Sequence, residues 1–598
     1  MSQQPANQTP DFQAAARPAD QLPGWYPAWA RELADLYFSG TTCVFVLHGN
    51  TNDLIHCPVG GQDAYASLPE FLATQVFGRW DLVLGYDISR GLRPQAGDDA
   101  QRQRVMMQQL LTRLGGEPST WPREADKVLA LLEGLVERNL LDDPGVRKSV
   151  AVVFDHAEYL IPAGDLDSLV RGQAARLVRL VSWAQNPHIK RVNMAFCLIA
   201  ERLAEVNDRL VQNPHVATVE IPLPDRDSRL RFLHFATRNG DLSKLTDFSA
   251  EQLAEMSGGL SLVNLDVLLS QAASADQRID ARRFGQLKKS MIERQCEGLV
   301  EFVQPAHTLD LLVGQAEVKK RLLDDARLLG EGRLDVAPMG YLVCGAVGTG
   351  KTFLAECYAG SVGIPCVTLK NFRSKYVGET EGNLQQVLTV LRSLGPVVVI
   401  IDEADAALGS RQAEGDSGTS ARVFSMIAAQ MGNTRYRGRI VWMLLTSRPD
   451  LLPIDLKRQG RAEVHIPLFY PAEAEEIRAM VETMARKNRL KLAADAVVAI
   501  GPERRLTGAD LESIVLAAKR HAMAAGREEL SRADLEWSLA EFIPSAQGLE
   551  KELQEIAAVL ECTQLSLLPP EWRQKAVQTE SRAKLQERMV ALRQLLEN

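Results

Sequence analysis

The segment from Gly345 to Thr352, GAVGTGKT, has the spacing of a phosphate-binding loop. It follows an apolar stretch, YLVCG, and precedes a stretch of helical composition, TFLAECYAG. Glycines at these positions let backbone N–H groups turn inward around a phosphate, and the start of the next helix adds positive potential. The sequence therefore predicts that Lys351 reaches the β- and γ-phosphates of a nucleotide and that the Thr352 hydroxyl binds Mg²⁺.

Two carboxylates, Asp402 and Glu403, end the apolar run VVVII further along the chain. An acid at the carboxyl end of a buried parallel strand lies in the crevice where open α/β sheets bind ligands. We expect Asp402 to hold Mg²⁺ through its water shell and Glu403 to orient or deprotonate the attacking water. The alternative is a strand end followed by a solvated helix cap, and the phosphate-binding loop upstream argues against it.

These residues belong to the second of two halves that repeat one order of elements. The first half shows the strand patterns CVFVLHG, LVLGYD, SVAVVFDHAEYL, NMAFCLIA and ATVEIPLP; the second shows GYLVCG, CVTLK, PVVVIIDEAD, IVWMLLTS and AEVHIPL. Continuous apolar strands that alternate with helices indicate a parallel sheet covered on both faces. Each half closes with a helical segment, so the predicted fold class is α/β, with two similar sheet modules that each carry a small helical lid.

Composition divides the chain into four predicted parts. Residues 1–23 are rich in Gln, Pro and Ala without apolar periodicity, which predicts a disordered tail. The first module is predicted over residues 24–294 and the second over residues 295–545, with the linker near Pro305. Residues 546–598 form a predicted helical extension whose amphipathic pattern suits an inter-subunit clamp or a coiled-coil adaptor equally well.

Composition also excludes several classes of protein. Of the 598 residues, 46% are hydrophobic and 24% charged, which is the balance of a globular chain, and the net charge of −8 gives no global attraction for nucleic acid. No apolar run approaches the roughly 18 residues needed to span a bilayer, and the N-terminal segment lacks the order of a signal peptide. Eight cysteines without a C-x-x-C pair argue against a disulfide framework or a zinc site. We therefore expect a soluble, cytoplasmic protein of several domains.

On the motifs above, residues 310–545 resemble an AAA ATPase module of the group that contains katanin, spastin, the proteasomal ATPases and the tandem segregase-type enzymes. Further segments match the family in the order in which they occur along the chain. KYVGETE resembles the first pore loop of the family, which lines a central channel and grips an extended polypeptide. The resemblance implies that Tyr376, Val377 and Gly378 form such a loop. LLTSRPDLL resembles the sensor-1 strand, with Ser447 where the family usually has asparagine, so its contact to phosphate or water has fewer donors.

The resemblance also supplies an arginine finger and a base-binding site. KRQGRAEVHIPL matches the finger segment: Arg461 stands at the first finger position, which enters the neighbouring subunit's site, and Val464 at the second. ATP and Mg²⁺ are the implied cofactors, with Thr352 and Asp402 as the metal-binding residues. The implied nucleotide-binding residues are Val313 and Gly314 of LLVGQAEVKKRL, Gly508 and Ala509 of LTGADLE, and the loop residues Gly345, Val347, Gly348, Thr349, Gly350, Lys351, Thr352 and Phe353.

One departure concerns the phosphate-binding loop itself. The family usually shows GPPGTGKT, and here Ala346 and Val347 replace the two prolines, which removes rigidity but no phosphate ligand.

The first half lacks most of this chemistry. After its first strand the chain continues HGNTNDLIHC, without a lysine or a second glycine, and in FDHAEYL a histidine, His156, follows Asp155 where the water-activating glutamate belongs. We therefore predict a degenerate module kept for assembly or recruitment. His48, Asn50 and Asp53 form a polar group at the strand end, for which a hydrogen-bonded loop is favoured over a separate site.

The predicted function is an ATP-hydrolysing protein-remodelling or unfolding motor. It would form a homo-oligomeric ring, with six subunits in related proteins, and active sites between subunits because Arg461 has no role in its own site. The partner would be an unidentified polypeptide substrate or adaptor. One alternative is a nucleotide-gated scaffold whose ATP binding controls assembly of a complex. A nucleic-acid motor is the other, and the acidic balance and the aromatic pore triplet argue against it.

Overall fold

The structure is a computed structural model that describes residues 22–97, 99–164, 171–238, 242–275, 278–370, 377–408, 419–493, 496–543 and 548–597. The chain forms two compact units. The first unit comprises Met1–Met291 with Tyr376–Thr389, and the second comprises Ile292–Lys375 with Val390–Asn598. Most of the predicted N-terminal tail, residues 1–21, lies outside the described residues, and the predicted domain boundaries stay predictions.

Long apolar runs form the central strands of the first unit, and shorter strands lie beside them. The strands are β1 (Val44–Gly49), β2 (Ile55–His56), β3 (Tyr65–Ala66), β4 (Leu82–Asp87), β5 (Gly91–Pro94), β6 (Val150–Phe154), β7 (Met194–Ile199) and β8 (Val216–Ile221). The α-helices in this part of the chain are α1 (Ala28–Phe38), α2 (Leu68–Phe71), α3 (Ala100–Leu114), α4 (Ala125–Leu141), α5 (Ala157–Leu160), α6 (Arg171–Gln185), α7 (Asp208–Val211), α8 (Arg226–Ala236), α9 (Leu242–Leu245), α10 (Ala250–Met256), α11 (Leu262–Ala275) and α12 (Ala281–Gln295).

The sheet of the first unit has the strand order β5-β4-β6-β7-β1-β8. Strands β4, β6, β7, β1 and β8 run parallel to one another. At one edge, β5 pairs antiparallel with β4. Strands β4, β6 and β7 are buried along their whole length because both sheet faces are covered. Helices α8, α10 and α11 follow the last strand, and α10 and α11 both contact α8 in the lid.

The second part of the chain repeats this plan. Its strands are β9 (Val300–Phe302), β10 (Gly340–Gly345), β11 (Cys366–Leu369), β12 (Val397–Ile401), β13 (Ile440–Thr446), β14 (Val464–Leu468), β15 (Lys491–Leu492) and β16 (Glu529–Leu530). Its α-helices are α13 (Ala316–Gly330), α14 (Lys351–Val362), α15 (Val377–Ser393), α16 (Ala404–Leu408), α17 (Thr419–Met431), α18 (Ile454–Lys457), α19 (Ala474–Lys487), α20 (Gly508–Ala524), α21 (Arg532–Glu541), α22 (Gly548–Glu561), α23 (Pro570–Val577) and α24 (Thr579–Glu597).

The two sheets share one topology. In the second unit the order is β14-β10-β13-β12-β11-β9, with five parallel strands and β9 antiparallel at the edge. Numbered along the chain, the parallel strands of each sheet are arranged fifth, first, fourth, third, second. The predicted α/β class with parallel sheets flanked by helices is therefore confirmed, and every strand named from the sequence is present.

The antiparallel edge strands are the part of the sheets that sequence patterns missed. β5 follows the second parallel strand of its sheet, whereas β9 precedes the first parallel strand of its own. Both are short, and neither carries a continuous apolar run.

The lid of the second unit is built from α19, α20 and α21. Its small core contains Ile477, Val481, Leu511, Ile514 and Leu535, which lie on the inward faces of these helices. Thr507 caps α20 through a capping box with Asp510, which fixes the direction in which the helix leaves the sheet.

The helical extension packs on its own unit. Helix α22 contacts β10 and β14, and Leu567 belongs to the main core of the second unit. Leu553, Ile556 and Leu592 join α22 to α24 in a separate cluster. Burial within the unit therefore accounts for the amphipathic pattern of α22, whose buried residues include Leu553 and Ile556.

Candidate functional site

A cleft of about 530 Å³ opens in the second unit beside the phosphate-binding loop, with lid residues on its other wall. It brings together most of the predicted site residues, namely Val313, Val347, Gly348, Thr349, Gly350, Lys351, Thr352, Phe353, Asp402, Glu403, Ser447, Gly508 and Ala509. Gly345 ends β10 next to the loop, and Gly314 adjoins Val313, but neither lines the cleft. Arg461 does not line it either.

The predicted pore loop cannot be placed with the cleft. Tyr376 lies outside the described residues. Val377 and Gly378 begin α15, of which only the backbone is described at this point. Their assignment stays a prediction.

The phosphate-binding loop lies between β10 and α14 as its motif requires. Gly348 has a φ of +84°, and a Cβ there would lie 2.8 Å from the side chain of Thr507 at the start of the lid. Only glycine therefore lets the loop pass this close to the lid. Gly350, with a φ of +89°, precedes the first residue of α14, so the N-terminus of that helix opens into the cleft.

The loop lysine lies at the base of the cleft. The Nζ atom of Lys351 donates to the carbonyl oxygens of Gly345 and Ala346 at 2.9 Å and 3.1 Å. Burial lowers the pKa of Lys351 from its usual value, while Asp402 is one of the nearby groups that oppose this change. An anionic phosphate in the cleft would offer this ammonium a stronger partner than two neutral carbonyl groups.

The metal-binding pair has the expected arrangement. The Thr352 hydroxyl donates to Oδ2 of Asp402 at 2.8 Å, so the two oxygen atoms that would hold Mg²⁺ already adjoin each other. Hydroxyl and carboxylate oxygens are the donors that Mg²⁺ prefers, and the ion usually keeps several waters beside them. The residues present therefore fit a Mg²⁺ ion bound together with nucleotide phosphates.

The residue after Asp402 has an unusual backbone. Glu403 has a φ of +48°, in the left-handed region, and it is exposed in the wall of the cleft. Its backbone N–H donates to Oδ1 of Asp402 at 2.8 Å. This turn separates the directions of the two carboxylates, so Asp402 is held by Thr352 while Glu403 remains available to a water molecule.

Thr446, at the end of β13, and the next residue, Ser447, also line the cleft. The Thr446 hydroxyl donates to Oδ1 of Asp405 at 2.7 Å and accepts from the Arg448 backbone at 2.9 Å. This network fixes the end of β13 and hence the position of Ser447. Sequence reasoning missed Thr446 and Asp405, although an acid three residues after Asp402 was the available signal.

The lid side of the cleft carries apolar side chains beside polar ones. Besides Val313, Gly508 and Ala509, the structure adds Met480 and Met484 of α19, which the sequence motifs had not indicated. These methionines are four residues apart and share one helix face. Nearby, the Lys487 ammonium lies 4.9 Å from the Phe353 ring centroid. Apolar side chains and a phosphate-binding loop that line one cleft suit a purine nucleotide.

Arg461, at the predicted arginine-finger position, bonds to the loop of its own chain. Nη1 of Arg461 donates to the Asp455 carbonyl oxygen at 2.7 Å, and the side chain is only 12% exposed. Val464, at the second finger position, is the first residue of β14 and is 5% exposed, so it is part of the sheet core. The role of Arg461 in a neighbouring subunit stays a prediction.

The first unit has the same backbone at the corresponding strand end but different side chains. A Cβ on Gly49 would lie 2.7 Å from the Ile221 carbonyl oxygen, and a Cβ on Gly345 would lie 2.3 Å from that of Leu468. Likewise His156 has a φ of +55° directly after an aspartate, as Glu403 has a φ of +48° after its own. The loop after Gly49 carries no lysine, and His156 stands in place of the glutamate.

A carboxylate joins the first strand end to the lid of the first unit. Asp53 is 5% exposed and accepts the backbone N–H groups of Leu262 and Val263 at 3.0 Å each, where α11 begins. It also accepts from the Leu54 backbone at 2.9 Å and from Nδ2 of Asn50 at 2.8 Å. Burial raises the pKa of Asp53, and these donors oppose that rise. The prediction of a hydrogen-bonded loop thus holds for Asn50 and Asp53, while His48 is buried within β1.

A second cavity of about 620 Å³ adjoins this loop, lined by Asp53, Asp155, His156, Arg90 and Arg93 among others. The Arg90 and Arg93 side chains pair with Asp87 at 2.8 Å and 2.5 Å. Both arginines are thus engaged within the unit.

Fold and cleft together define a phosphate-loop nucleotide-binding α/β protein. Three family models match the chain: the N-terminal Rossmann-like domain of AAA+ chaperones over residues 17–222, the second helical domain of AAA+ chaperones over residues 227–297, and the ATPase family associated with various cellular activities (AAA) over residues 341–470. The chain therefore contains an N-terminal and a second helical domain of the AAA+ chaperone type and an AAA ATPase domain, which confirms the resemblance found in its motifs.

Individual relatives agree with this assignment. A Cell division cycle protein 48 homolog of Archaeoglobus fulgidus is 25% identical over 327 residues, which cover 50% of this chain and 44% of that protein. The ATP-dependent zinc metalloprotease FtsH 3 of Sphaerobacter thermophilus is 29% identical over 43% of this chain and 55% of its own length. The AAA domain-containing protein ycf46 of Guillardia theta is 25% identical over 56% of this chain and 70% of its own length.

The chain spans about half the length of the first two of these relatives. Among the described residues, no cluster of three or more His, Cys, Asp or Glu side chains could hold a metal ion. A helix of the length and apolar character needed to cross a membrane is likewise missing from the described part of the chain.

Proposed function

We propose that the second unit hydrolyses ATP with Mg²⁺ and that the chain is an ATP-driven protein-remodelling motor. One observation carries this proposal: Lys351, the Thr352–Asp402 pair and Glu403 converge on one cleft that apolar lid residues also line. AAA+ ATPase domains of the chaperone type along most of the chain support it.

Each residue then has a distinct task. Lys351 exchanges its two loop carbonyls for the phosphates, and Thr352 and Asp402 hold Mg²⁺, which neutralises phosphate charge when bound. Glu403 accepts a proton from the attacking water, and Ser447 orients that water or the terminal phosphate through its hydroxyl. Hydrolysis supplies the energy for remodelling, and different contacts of the lid with the substrate and product nucleotides couple it to a change in conformation.

Arg461 is the reason to propose a ring. Its guanidinium lies outside the cleft of its own chain, so it can act on phosphate only in the site of another copy. We propose a homo-oligomeric ring, with six subunits as in related proteins, in which Tyr376 contacts a polypeptide substrate. The proposed location is the cytoplasm.

The test is the ATPase rate of the full chain against protein concentration, with mass photometry on the same samples. The unsubstituted protein should hydrolyse ATP cooperatively as rings form. Glu403→Gln should bind ATP but lose at least about 100-fold in rate, and Arg461→Ala should lose a similar factor while keeping its nucleotide affinity. Arg458→Ala is the matched control, because this nearby arginine is 61% exposed and should leave the rate within about twofold.

Two results would contradict the proposal. Turnover that is independent of concentration and unchanged in Arg461→Ala would exclude sites between subunits. Full turnover in Glu403→Gln would exclude this carboxylate as the base.

A nucleotide-gated scaffold is the second candidate function, favoured by one observation. Val464 is buried in β14 where the family's second finger would project, so only one finger remains for activation between subunits. Rings that form with ATP while turnover stays near background would support the scaffold. ATP hydrolysis that is stimulated by DNA would instead support the hypothesis of a nucleic-acid motor.

A further inference from the structure

The helical extension touches the phosphate-binding loop. The backbone N–H of Val347 donates to Oε1 of Gln554 at 2.9 Å, across 207 positions of the chain. Gln554 lies on α22 and is only 2% exposed, whereas Val347 is 51% exposed. A buried side-chain amide of a packed helix thus accepts a hydrogen bond from an exposed residue of the loop.

This contact depends on a departure from the family sequence. Val347 stands where the family usually has the second of two prolines. Proline has a fixed φ and no N–H, so it stiffens the loop by itself and offers nothing to an acceptor. Replacing it with valine removes the stiffness and creates the donor that Gln554 accepts.

The extension is anchored around the cleft at several other points. Glu555 pairs with Arg505 just before the lid helix, and Glu561 pairs with Lys457 in the finger segment. Arg593 of α24 pairs with Asp450 at 2.7 Å, in the loop that follows Ser447. The side chains of Glu555 and Asp450 are 11% and 5% exposed, so these are partly desolvated contacts rather than loose surface pairs. They fix α22 relative to the loop, and with it the position of Gln554.

We propose that Gln554 is a positioning residue for nucleotide binding, whose side-chain carbonyl orders the phosphate-binding loop in place of the family's prolines. This inference rests on the proposed function of the cleft. An ordered loop presents its N–H groups to phosphate without first losing conformational freedom. Val347 is exposed and lines the cleft, so the main effect of this bond is on binding rather than on the core.

The expected effect follows from the strength of one such bond. A hydrogen bond between neutral groups contributes the equivalent of about a threefold to tenfold change in an equilibrium constant. Gln554→Met has no acceptor of comparable strength but has a similar length, so α22 should keep its packing. It should weaken binding of a fluorescent ATP analogue by about threefold to tenfold, measured by titration of the full chain with Mg²⁺.

Gln586→Ala is the matched control, since Gln586 lies in the same extension but is exposed. Its affinity for the nucleotide should stay within about twofold of the unsubstituted chain.

A double-substitution cycle separates positioning from mere packing. Val347→Pro removes the donor and restores the family's residue, so in that background Gln554→Met should change affinity by less than about twofold. If Gln554 acted only through the packing of α22, the loss would be equal in both backgrounds, and that result would overturn the proposal. Thermal unfolding of each variant shows whether α22 keeps its packing.

The outcomes also separate this inference from the proposed function. An unsubstituted chain that binds no nucleotide would overturn both. Normal binding that is unchanged in Gln554→Met would overturn only the positioning role, and so would an equal loss with and without the Val347→Pro substitution. A loss confined to the valine background would establish it.

Discussion

Asp53 should hold the lid of the first unit closed without any nucleotide. Helix α11 begins at Leu262, and the first N–H groups of any helix have no partner within the helix. Here the amides of Leu262 and Val263 donate to the two oxygens of the Asp53 carboxylate. Their protection from hydrogen exchange therefore reports this one side chain, which makes the contact directly measurable.

The magnitude follows from the contacts. Asp53→Ala removes the acceptor of two lid amides and leaves the buried Leu262 N–H without a partner, at about 1–3 kcal/mol for each group. Taking about 3 kcal/mol for the pair, local opening becomes roughly a hundredfold more frequent. Exchange of a peptide that contains Leu262 and Val263 should accelerate by about that factor.

The assay is hydrogen–deuterium exchange followed by mass spectrometry on the full chain. Asn52→Ala is the control, because Asn52 lies beside Asp53 in the same loop but is exposed. It should leave the exchange of this peptide unchanged, and both variants should leave peptides from the lid of the second unit unchanged. Slow exchange at Leu262 and Val263 in Asp53→Ala would refute the reasoning, because some other group would then have to protect these amides.

Two further predictions concern the lids. Burial lowers the pKa of Lys288 to about 8, so between about pH 8 and 10.5 the unfolded chain holds a proton that the folded Lys288 has lost. The contribution of Lys288 to the stability of the first unit should therefore rise over this pH range. Thermal unfolding series should show this as a difference in pH dependence between the unsubstituted chain and Lys288→Met. In the lid of the second unit, Asp534 is fully buried and accepts two hydrogen bonds from Arg527 at 2.6 Å. These bonds hold the pKa of Asp534 well below its usual value. Its contribution to the stability of the lid is therefore present above about pH 4 and is lost as the pH falls towards the lowered pKa. Asp534→Asn should destabilise this lid by about 2–4 kcal/mol, measured by hydrogen exchange of peptides from α21. Glu536→Gln, which changes an exposed carboxylate on the same helix, should cost less than about 0.5 kcal/mol. Equal effects of the two substitutions would contradict the special role of Asp534.

The sequence predicts the parallel strands well because they are long and apolar. A strand buried on both faces needs a continuous apolar run, and a phosphate-binding loop needs glycine and lysine at fixed spacing. Both signals are local, so they survive without knowledge of the rest of the fold. The edge strands β5, GLRP, and β9, VEF, carry no such run, because an edge strand is only partly buried.

Contacts between distant positions are the part that the sequence could not supply. Asp53 and Leu262 are 209 positions apart, and Val347 and Gln554 are 207 positions apart. Nothing about a single aspartate or glutamine indicates which backbone amide it will meet. The methionines of the cleft are hidden for a similar reason, since Met480 and Met484 continue the apolar face of α19, which is explained by the lid core alone.

The left-handed residues His156 and Glu403 have a consequence for how active sites are recognised. A non-glycine residue at such a φ costs on the order of 1 kcal/mol, and strain of this kind is often taken as a sign of catalysis. Here it occurs with equal φ sign in both sheets, although only one has a carboxylate at that place. The fold therefore requires this backbone conformation at both positions and accepts either side chain. A search for backbone outliers would mark His156 and Glu403 alike, so the side chain, and not the conformation, distinguishes these two positions.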